Sequence, residues 1–461
     1  MTRPNILFIT ADQMRWDCLG CAGNPVIQTP HLDALAAAGT RFTNAFTPDP
    51  ICVPARASIM TGNYPQVCTG HKGNTGAIRE GQPLLTRTLK SAGYRTYALG
   101  KLHFLPYAPP DQPRTTHGFD HVEWTESGRI LKQYDPKGER RGVEDYFDHL
   151  HDQGWHGYAR AHGIGNNDVR PCASPLPAEL YVDAWIADRS IAALDRHCDE
   201  HADAPFFLWM SSPKPHSPYD PPPPFDRLHD PRTIPPPFGD LSLLEHMDPN
   251  IEQTLYSHGC DSLSPEAWQV IRSYYYGNIS FLDAQVGRVL AHLDRLGLRE
   301  NTLIIFTADH GDLLGDFGSA FKSNHMNGSV RVPFLAAGPG IPAGAVASAP
   351  MGLQDLHPTF ADFAGADIGQ PVHGLSLRSL LDGGPSQREW YYACTGHPGH
   401  QSSMIANGEW KYIYSEHGGI EQLYDQRNDP GEVRNLAGDP AHVFRTSEMR
   451  ERLISEARKT A

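Results

Sequence analysis

The sequence predicts an α/β fold in which a large mixed, mainly parallel β-sheet is flanked by helices, with a smaller C-terminal α+β subdomain. Three apolar runs rich in branched residues, at residues 5–10, 205–210 and 302–307, do not alternate with polar positions. Such runs are typical of strands that are buried on both faces of a parallel sheet. Helical patterns lie between these runs, and strands that alternate with helices indicate parallel strands joined by helical crossovers.

The elements between these strands follow from apolar spacing and from helix-ending residues. Residues 31–39 and 271–296 carry apolar side chains at helical spacing, and a glycine ends each helix. Residues 89–93 end a further helix, and residues 94–99 form the strand after it. Residues 106–177 are predicted to be rich in loops. The prolines of SSPKPHSPYDPPPP exclude a helix there because they remove N–H donors.

A change of composition after Leu381 predicts a boundary between a large domain at residues 1–380 and a small unit at residues 381–461. In the second part, GEWKYIYSEHGG and EQLYDQRND alternate like strands around a turn, and residues 446–459 form a final helix. A unit of this size lies within the usual range for a domain, so we expect it to pack on the larger one.

The composition is that of an acidic globular protein. Of its 461 residues, 39% are hydrophobic and 20% are charged, and the formal net charge of −14 disfavours non-specific binding to nucleic acid or to acidic membranes. An anionic substrate would therefore need a local positive pocket. The apolar run at residues 6–9 is too short for a signal peptide or a membrane span, and the eight cysteines are scattered, so we expect a cytoplasmic protein.

Polar side chains follow two of the predicted strands. Asp12 and Gln13 come after the first strand, and Asp309 and His310 come after the last one. The carboxyl ends of parallel strands share one edge of a sheet, where α/β proteins bind ligands. Three oxygen donors and one imidazole nitrogen suit a metal ion. Each residue alone could equally be a helix cap or a surface residue, and the pairing of the two strand ends favours the metal site.

Four more polar residues follow strands or lie close after them. These are Lys101 and His103 in GKLH, His216 in KPHSP, and Lys322 in AFKS. A single histidine is more often a hydrogen-bonded structural residue than a catalyst. Because several strand ends carry such residues, we expect them to share the predicted site. We expect residues 106–177, the proline loop after His216 and the segment from His397 to His400 to form the walls of its pocket.

The stretch ICVPARASIMTG at residues 51–62 has two interpretations. Pro54 suits the first turn of a helix and Gly62 suits its C-terminal end, which would make Cys52 an ordinary buried residue. Alternatively, the helix N-terminus and Arg56 together stabilise an anion or a nucleophile at this cysteine. The stretch by itself leaves both interpretations open.

The chain as a whole resembles the formylglycine-dependent sulfatases of the alkaline phosphatase superfamily. The motifs that carry the resemblance are PNILFITADQ, TPHLDALAAAGTRFTNAF, CVPARASIMTGNYP, GKLH, THGFD, KPHSPY, FLDAQVGRVLAHL, LIIFTADHGD, RVPF and LYDQRNDPGEVRNLA. The C-x-P-x-R core at Cys52 to Arg56 is highly specific for this family when it occurs together with the other motifs. The resemblance implies an alkaline phosphatase-like fold and the hydrolysis of a sulfate ester.

The resemblance also implies that Cys52 is a precursor. In this family a separate maturation enzyme oxidises the cysteine to formylglycine, an aldehyde that hydrates to a geminal diol. One diol oxygen, held by the metal, attacks sulfur and displaces the alcohol, and the second hydroxyl then loses its proton and expels sulfate. The implied partners are a small-molecule or saccharide sulfate ester and the maturation enzyme.

Matched by motif, the family also implies a role for each candidate residue. The implied metal ligands are Asp12, Gln13, Asp309, His310 and the diol formed from Cys52. The other implied roles are Arg56 to hold the diol, Lys101 and Lys322 to bind sulfate oxygens, His103 to orient or deprotonate the diol, His216 to protonate or hydrogen-bond the leaving oxygen, and Asn74 to contact a substrate oxygen.

Several positions depart from the family pattern. Gln13 and His310 stand where many relatives have Asp and Asn, so the site carries less negative charge and gains an imidazole. These changes weaken the case for Ca²⁺ alone, and an imidazole ligand also suits Mn²⁺. Ca²⁺ stays the first expectation for the metal, and Mn²⁺ is the second. Ala55 stands where Ser is common, but the Cys, Pro and Arg that the resemblance implies the maturation enzyme reads are present. Asn327 and Gly328 stand where relatives often carry acidic residues, so we expect different substrate contacts at those two positions.

Two other functions compete with sulfate ester hydrolysis. A phosphonate monoester or phosphodiester hydrolase fits because relatives with that activity use the same formylglycine and metal residues, and tetrahedral anions of sulfur and phosphorus look alike to a pocket. A noncatalytic anion-binding protein fits if Cys52 stays a thiol. The sequence does not determine the oligomeric state, and a homo-oligomer is one of the alternatives.

Overall fold

A computed structural model describes residues 3–70, 73–109, 111–134, 137, 141–252 and 259–460. The strands of its larger part are β1 (Asn5–Asp12), β2 (Thr40–Phe42), β3 (Ala45–Phe46), β4 (Arg95–Gly100), β5 (His121–Trp124), β6 (Phe206–Pro215), β7 (Thr302–Ala308), β8 (Phe334–Ala337), β9 (Ala345–Ala347) and β10 (Met351–Gly352). Eight of them form one sheet in the order β5-β4-β6-β1-β7-β8-β2-β9, and β3 pairs with β10. Only β8 runs antiparallel to its neighbours among these described strands, which confirms the predicted mixed, mainly parallel sheet.

β1 lies at the centre of the sheet between β6 and β7, and all of its residues are buried. Ile6 pairs in parallel register with Phe207 of β6 and with Leu303 of β7. Apolar side chains occupy both faces of these strands because helices flank the sheet. The three predicted apolar strands are confirmed, and each continues past the predicted residues at its carboxyl end.

The described helices are α1 (Pro30–Ala37), α2 (Cys52–Thr61), α3 (Pro65–Cys68), α4 (Leu85–Ser91), α5 (Arg129–Tyr134), α6 (Asp145–Asp152), α7 (Val182–His201), α8 (Pro265–Arg295), α9 (Asn327–Val330), α10 (Leu356–Ala364), α11 (Arg378–Leu381) and α12 (Val443–Lys459). α1 and α7 pack on α8, and α2, α4 and α10 form a second group. α8 contains the predicted long helix but starts earlier, where the Ser264 hydroxyl accepts from the Ala267 N–H at 3.2 Å. Among the described helices, none has the length and the apolar character of a membrane span.

Glycines end two predicted helices in different ways. Gly297 follows α8 with a φ of 68°, the left-handed conformation that glycine adopts most easily. Gly39 follows α1 without a positive φ, and a Cβ there would collide with the carbonyl oxygen of Ala336 in β8. This second glycine is therefore needed for the close approach of two backbones.

The segment at residues 106–177 contains more regular structure than its loop-rich sequence predicts. β5 extends the sheet beyond β4 and pairs with it in parallel register, and α5 and α6 follow. The strand consists of only four residues, HVEW, of which three are half-buried. It was missed because no apolar run marks so short an edge strand.

The C-terminal part forms a four-stranded antiparallel sheet against which α12 packs. Its strands are β11 (Tyr391–Thr395), β12 (Ser402–Ala406), β13 (Trp410–Ser415) and β14 (Ile420–Asp425). One hydrophobic cluster joins Tyr412 of this sheet to Met449 of α12. A second cluster ties the sheet to the main body, where the rings of Phe46 and Tyr391 stack at 5.4 Å. The smaller subdomain is confirmed, and its boundary after residue 380 stays a prediction.

Candidate active site

The carboxyl ends of four adjacent parallel strands, β4, β6, β1 and β7, meet at one edge of the sheet. Asp12 is the last residue of β1, and Asp309 follows β7 directly. Gln13 has a φ of 68°, and such backbone strain in a residue other than glycine is found preferentially at functional sites. The Gln13 N–H donates to Oδ1 of Asp309 at 3.0 Å, which ties the two strand ends together.

The ring of His310 is oriented by a hydrogen bond to its neighbour. Nδ1 lies 2.9 Å from the carbonyl oxygen of Gly311, which can only accept, so Nδ1 carries the proton. Nε2 lies 3.7 Å from Oδ1 of Asp12 and 3.6 Å from Oδ1 of Asp309. An imidazole held in this way presents Nε2 as a metal ligand.

Cys52 is the first residue of α2 and follows Ile51, whose backbone is extended. Its Sγ lies 3.1 Å from Nε2 of His310 and 3.7 Å from Oδ1 of Asp12. The residue is only 1% exposed. The cysteine is therefore buried, as the structural interpretation requires, but its neighbours are charged and metal-ligating groups.

Four residues form a cluster that could hold a metal ion. The ligand atoms of Asp12, Cys52, Asp309 and His310 all lie within 4.8 Å of one another, and the four side chains are buried. No other group of this kind occurs in the part of the chain that the structure describes. Carboxylate and imidazole donors suit a divalent cation, and the amide oxygen of Gln13 adds a further oxygen next to them.

Two lysines bring positive charge to this cluster. Nζ of Lys101 donates to Oδ2 of Asp12, and Nζ of Lys322 donates to Oε1 of Gln13 and lies 3.6 Å from Sγ of Cys52. Burial alone would raise the pKa of Asp12, but Lys101 and the other cations hold it well below its usual value. Burial and Asp12 would raise the pKa of Cys52, and the cations, led by Lys322, bring it to about 7. The local positive charge that an anionic substrate needs is present.

Arg56 connects three strand ends from within α2. Nε donates to Oδ2 of Asp309 at 2.7 Å, and Nη1 donates to the carbonyl oxygen of Lys101 at 2.7 Å and to Oγ of Ser211 at 2.9 Å. The side chain is fully buried, and Nη2 has no partner among the described residues. Buried donors are rarely left unpaired, so Nη2 is the donor available to an oxygen of a bound group.

His103 is positioned through its backbone. Oε1 of Glu126 accepts from the N–H groups of His103 at 2.8 Å and of Leu102 at 3.2 Å, and Oε2 accepts from the Tyr107 hydroxyl at 3.0 Å. His103 has a φ of 56°, and its buried Nδ1 has no partner among the described residues. Burial, helped by Lys101, keeps the pKa of His103 well below its usual value, so the ring is neutral at pH 7.

His216 follows β6 directly. Its N–H donates to the carbonyl oxygen of Asp12 at 3.0 Å. Its Nδ1 lies 2.9 Å from the carbonyl oxygen of Ser217, which leaves Nε2 for a ligand. Burial, helped by Lys322, keeps the pKa of His216 well below its usual value. The sequence thus placed this residue correctly at a strand end of the site.

A pocket of about 510 Å³ lies over these residues. Four residues predicted for the site, Asn74, His103, His216 and Lys322, line it together with Tyr107, Arg129, Gln133 and Asn167 of the segment at residues 106–177. Oδ1 of Asn74 also accepts from the Val53 N–H at 3.2 Å, in the first turn of α2. The prediction that the loop-rich segment walls the pocket is confirmed, and the volume is typical of a small-molecule site.

A second pocket, of about 590 Å³, adjoins the first at Ser323, and the predicted wall residues His397 and His400 line it. The proline loop after His216 lines neither of these two pockets among the described residues, although its Ser217 and Asp220 line a smaller cavity that shares His216 with the first pocket. Its place in the pocket wall stays a prediction. The loop also packs against α8, where a Cβ on Gly277 would lie 2.9 Å from Cγ of Pro221.

Sequence reasoning missed three residues that support the site: Glu126, Asp312 and Tyr219. Oδ2 of Asp312 accepts from Nε2 of Gln13 and from the Tyr219 hydroxyl, each at 2.6 Å. The position of Asp312, two residues after His310 in TADHGD, was a signal that could have revealed it. Glu126 and Tyr219 follow no pattern in the sequence that marks them.

Known protein families and solved structures match most of this chain. The family model described as "Sulfatase" matches residues 4–366, and the model described as "N-sulphoglucosamine sulphohydrolase, C-terminal" matches residues 315–459. An arylsulfatase of Clostridium perfringens is 32% identical over 98% of this chain and 94% of its own length, and a choline-sulfatase of Rhizobium meliloti is 32% identical over 95% and 83%. The solved phosphonate monoester hydrolase of Agrobacterium radiobacter is similar with a TM-score of 0.85 at 25% identity, over 100% of this chain and 96% of that one.

Proposed function

The chain belongs to the sulfatase family of sulfuric ester hydrolases, and from this premise we propose that it hydrolyses its sulfate ester with a formylglycine derived from Cys52 and one divalent metal ion. The products are an alcohol and inorganic sulfate. The motif-based resemblance and the alkaline phosphatase-like fold are both confirmed. The observation that carries the proposal is the 3.1 Å separation of Cys52 Sγ from His310 Nε2, which supports a role for position 52 beside residues that could hold a metal ion.

The proposed metal ligands are Asp12, Asp309, His310 and the amide oxygen of Gln13. Ca²⁺ is the first expectation, because oxygen donors predominate, and Mn²⁺ is the second, because it accepts an imidazole more readily. When bound, the ion supplies Lewis-acid activation and a template for the nucleophile. Oδ1 of Asp12 and Oδ1 of Asp309 both lie within 3.7 Å of Nε2 of His310, so these donors could share one ion.

The formylglycine at position 52 is proposed to arise in a separate maturation enzyme, which would supply the oxidant, break the Cβ–S bond of Cys52 and leave an aldehyde at Cβ. The hydrated aldehyde supplies a diol nucleophile that can expel sulfate by breaking its own C–O bond. Arg56 supports this role because its unpaired Nη2 is available to a diol oxygen while its other donors hold Asp309 and Lys101 in place. His103 is proposed to orient or deprotonate the diol, since its Nδ1 is buried without a partner among the described residues.

Lys101 and Lys322 are proposed to bind sulfate oxygens and to offset the charge that develops during transfer. Their ammonium groups contact Asp12 and Gln13, so both lie next to the reaction centre. In a chain with a net charge of −14, this local positive charge allows an anion to enter. Asn74 is proposed to contact another oxygen of the substrate from the pocket wall.

His216 is proposed to protonate the leaving oxygen or to hydrogen-bond the ester. Its Nε2 is the ring nitrogen left for a ligand, because Nδ1 is bonded to the carbonyl oxygen of Ser217. The ring is neutral without a ligand, and an anionic sulfate bound between it and Lys322 would favour its protonated form. The substrate is a small-molecule or saccharide sulfate ester, and its alcohol part leaves with the proton from His216 when the sulfur is transferred to the diol oxygen.

A phosphonate monoester or phosphodiester hydrolase is the second candidate. Its specific support is the similarity in fold to a phosphonate monoester hydrolase. The third candidate, a noncatalytic anion-binding protein with Cys52 as a thiol, requires that a complete set of metal-ligating and cationic residues serves binding alone. The maturation enzyme as a partner, a homo-oligomer and a cytoplasmic location stay predictions.

The experiment that tests the proposal compares kcat/KM on an aryl sulfate, an aryl phosphonate monoester and an aryl phosphate diester. We expect the sulfate to give the highest value and Cys52→Ala to remove turnover of all three. Cys198→Ala, at a half-buried position near the C-terminal end of α7, is the matched control. A higher value for a phosphorus ester would move the assignment to the second candidate. No turnover of any ester, together with a free thiol at position 52 after co-expression with a maturation enzyme, would favour the third.

The mass of the tryptic peptide from Phe42 to Arg56 (FTNAFTPDPICVPAR) tests the modification itself. The protein should be purified from its native host and from a host that supplies a maturation enzyme. We expect the mass of an aldehyde side chain in place of the thiol at position 52. A free thiol in both preparations would overturn the formylglycine part of the proposal.

A further inference from the structure

The charged side chains that line the pocket over the cluster are all positive among the described residues. Its described lining residues include the cations Arg129 and Lys322 and no carboxylate. The adjoining pocket, by contrast, is lined by Asp248 and Glu252 and has no lysine or arginine among its described lining residues. An anionic part of a substrate would therefore be attracted to the first pocket and repelled from the second.

The two cations of the first pocket are engaged differently. Lys322 is committed to the reaction centre, because its ammonium group contacts Gln13 and lies 3.6 Å from Sγ of Cys52. Arg129 belongs to α5, and the only hydrogen bond of its side chain in the described part of the protein runs from Nη1 to the carbonyl oxygen of Glu126 at 3.1 Å. Arg129 forms no ion pair with any described residue. Its Nε and Nη2 donors therefore remain for a ligand.

The nearby carboxylate of Glu126 forms no ion pair with Arg129 in the described part of the chain. Both oxygens of the buried Glu126 are occupied by the N–H groups of Leu102 and His103 and by the Tyr107 hydroxyl. The half-buried guanidinium thus has no carboxylate partner at ion-pair distance among the described residues, and it lies at the wall of a pocket that His103 and His216 also line. Arginine is the side chain best suited to bind planar or tetrahedral oxyanions through two parallel hydrogen bonds.

We infer that Arg129 binds a second anionic group, a carboxylate or a further sulfate, on the alcohol part of the substrate. The inference rests on the proposed sulfate ester hydrolysis, in which Lys101 and Lys322 serve the sulfate that is transferred. Arg129 then remains available to bind another anion, because Lys101 and Lys322 bind the transferred sulfate. The substrates of the enzyme are accordingly sulfate esters whose alcohol carries an additional negative charge.

The test uses matched aryl sulfates that differ only in one substituent. The sulfate ester of 4-hydroxybenzoate carries a carboxylate, that of its methyl ester carries no charge, and that of 4-hydroxybenzenesulfonate carries a sulfonate. We expect Arg129→Gln to lower kcat/KM on each anionic ester by about tenfold to a hundredfold more than on the neutral one. Differences in leaving-group acidity cancel, because variant and wild type are compared on the same ester. The carboxylate and sulfonate arms show which oxyanion the arginine prefers.

Two further variants make the result specific. Lys132→Gln removes a charge from an exposed position of the same helix, and we expect it to leave the ratio of anionic to neutral ester unchanged. Arg129→Lys keeps the charge but loses the paired hydrogen bonds, so its effect should be intermediate. Arg129→Gln could instead lower kcat/KM equally on the neutral and anionic esters, which would overturn the inference. A higher kcat/KM of the wild type on choline sulfate, whose alcohol is cationic, than on the anionic esters would also overturn it.

Binding to the metal-loaded Cys52→Ala protein separates this inference from the proposed function. Calorimetry with the same esters should show the same selective loss when Arg129→Gln is added. If matured enzyme hydrolyses none of the esters while the selective binding loss remains, the proposed function fails and the anion site stands. If hydrolysis proceeds without any selectivity in rate or binding, the anion site fails and the proposed function stands.

Discussion

Nε2 of Gln13 donates a hydrogen bond to Oδ2 of Asp312 at 2.6 Å. The amide of Gln13 is therefore oriented, with its nitrogen towards Asp312 and its oxygen towards the metal-ligand cluster, where Lys322 also donates to it. Ligand orientation by such supporting hydrogen bonds sets metal affinity in many sites. Asp312 thereby decides whether Gln13 offers an oxygen or a nitrogen to a metal ion.

Asp312→Asn is expected to weaken metal binding by about tenfold to a hundredfold. Oδ2 accepts from Gln13 and Tyr219, and Oδ1 accepts from two backbone N–H groups, so an amide nitrogen at either position would face two donors. Gln13 would lose the bond that orients it. Calorimetric titration of the metal-free protein with Ca²⁺ and Mn²⁺ measures the effect, and Asp261→Asn at an exposed position is the control. Equal affinities for wild type and Asp312→Asn would contradict this role.

Arg56→Lys is expected to lower kcat by about a hundredfold or more, although it keeps the positive charge. A lysine ammonium cannot reach Asp309, Ser211 and the Lys101 carbonyl oxygen together, so buried acceptors lose their donors. We also expect the free energy of unfolding to fall by about 1–3 kcal/mol. Urea denaturation and steady-state kinetics measure the two effects. Arg41→Lys, at a half-buried position, should change neither quantity, and retention of wild-type kcat in Arg56→Lys would show that charge alone suffices.

Cys52→Ala is expected to abolish turnover and to leave the fold intact, because the side chain contributes a thiol to the site and little to the core. Cys52→Ser should lower turnover nearly as much, because a sulfated serine can release sulfate only when a water molecule attacks it. Steady-state activity on an aryl sulfate and the thermal melting curve of each variant are the measurements. Substantial turnover by either variant would rule out the diol mechanism.

Removal of divalent metal with a chelator is expected to inactivate the enzyme, and Ca²⁺ or Mn²⁺ should restore it. The ion binds the folded protein only, so at a concentration of a hundred times Kd it should also stabilise the fold by about 2.7 kcal/mol. Mg²⁺ is the control, because it demands octahedral geometry and keeps its water ligands, and it should restore less. If neither the activity nor the melting temperature changes with chelator or with added metal, Asp12 and Asp309 are not metal ligands.

Glu432→Gln is expected to lower the free energy of unfolding by about 3–5 kcal/mol at pH 7. The buried Lys411 ammonium pairs with Glu432 and donates to Oδ1 of Asn327 at 2.9 Å. Burial lowers the pKa of Lys411 to about 8, with Glu432 opposing and Arg331 adding to the shift. The unfolded state therefore binds more protons between about pH 8 and pH 10, and stability rises with pH over that window.

A neutral lysine needs no carboxylate partner, so the penalty of Glu432→Gln should shrink between pH 7 and pH 10. Urea denaturation at the two pH values measures it. Glu409→Gln, which breaks the exposed ion pair with Arg427, is the control and should cost about 0–1 kcal/mol at both. A penalty of the same size at pH 7 and pH 10 would be inconsistent with a titrating Lys411.

Much of the fold was predictable because it follows from local patterns. The unbroken apolar run of β1 and the helical spacing of α8 each specify an element within a few residues of its observed bounds. β5 escaped prediction because a short, half-buried edge strand has no such pattern. The proline loop after His216 was assigned to the pocket wall from sequence proximity, and that place stays a prediction, whereas the packing of its Pro221 against α8 is a contact that no local pattern could show.

The sequence by itself determined which residues stand at the strand ends, because parallel strands bring their carboxyl ends to one edge of a sheet. Asp12 and His310 could be paired on that ground alone. Only the tertiary structure decided that Asp312 orients the amide of Gln13, 299 positions away along the chain, and that Arg129 lies at the pocket wall without an ion-pair partner among the described residues. Such contacts depend on how segments that are distant in the chain pack against one another, and the local periodicity of the sequence does not predict that packing.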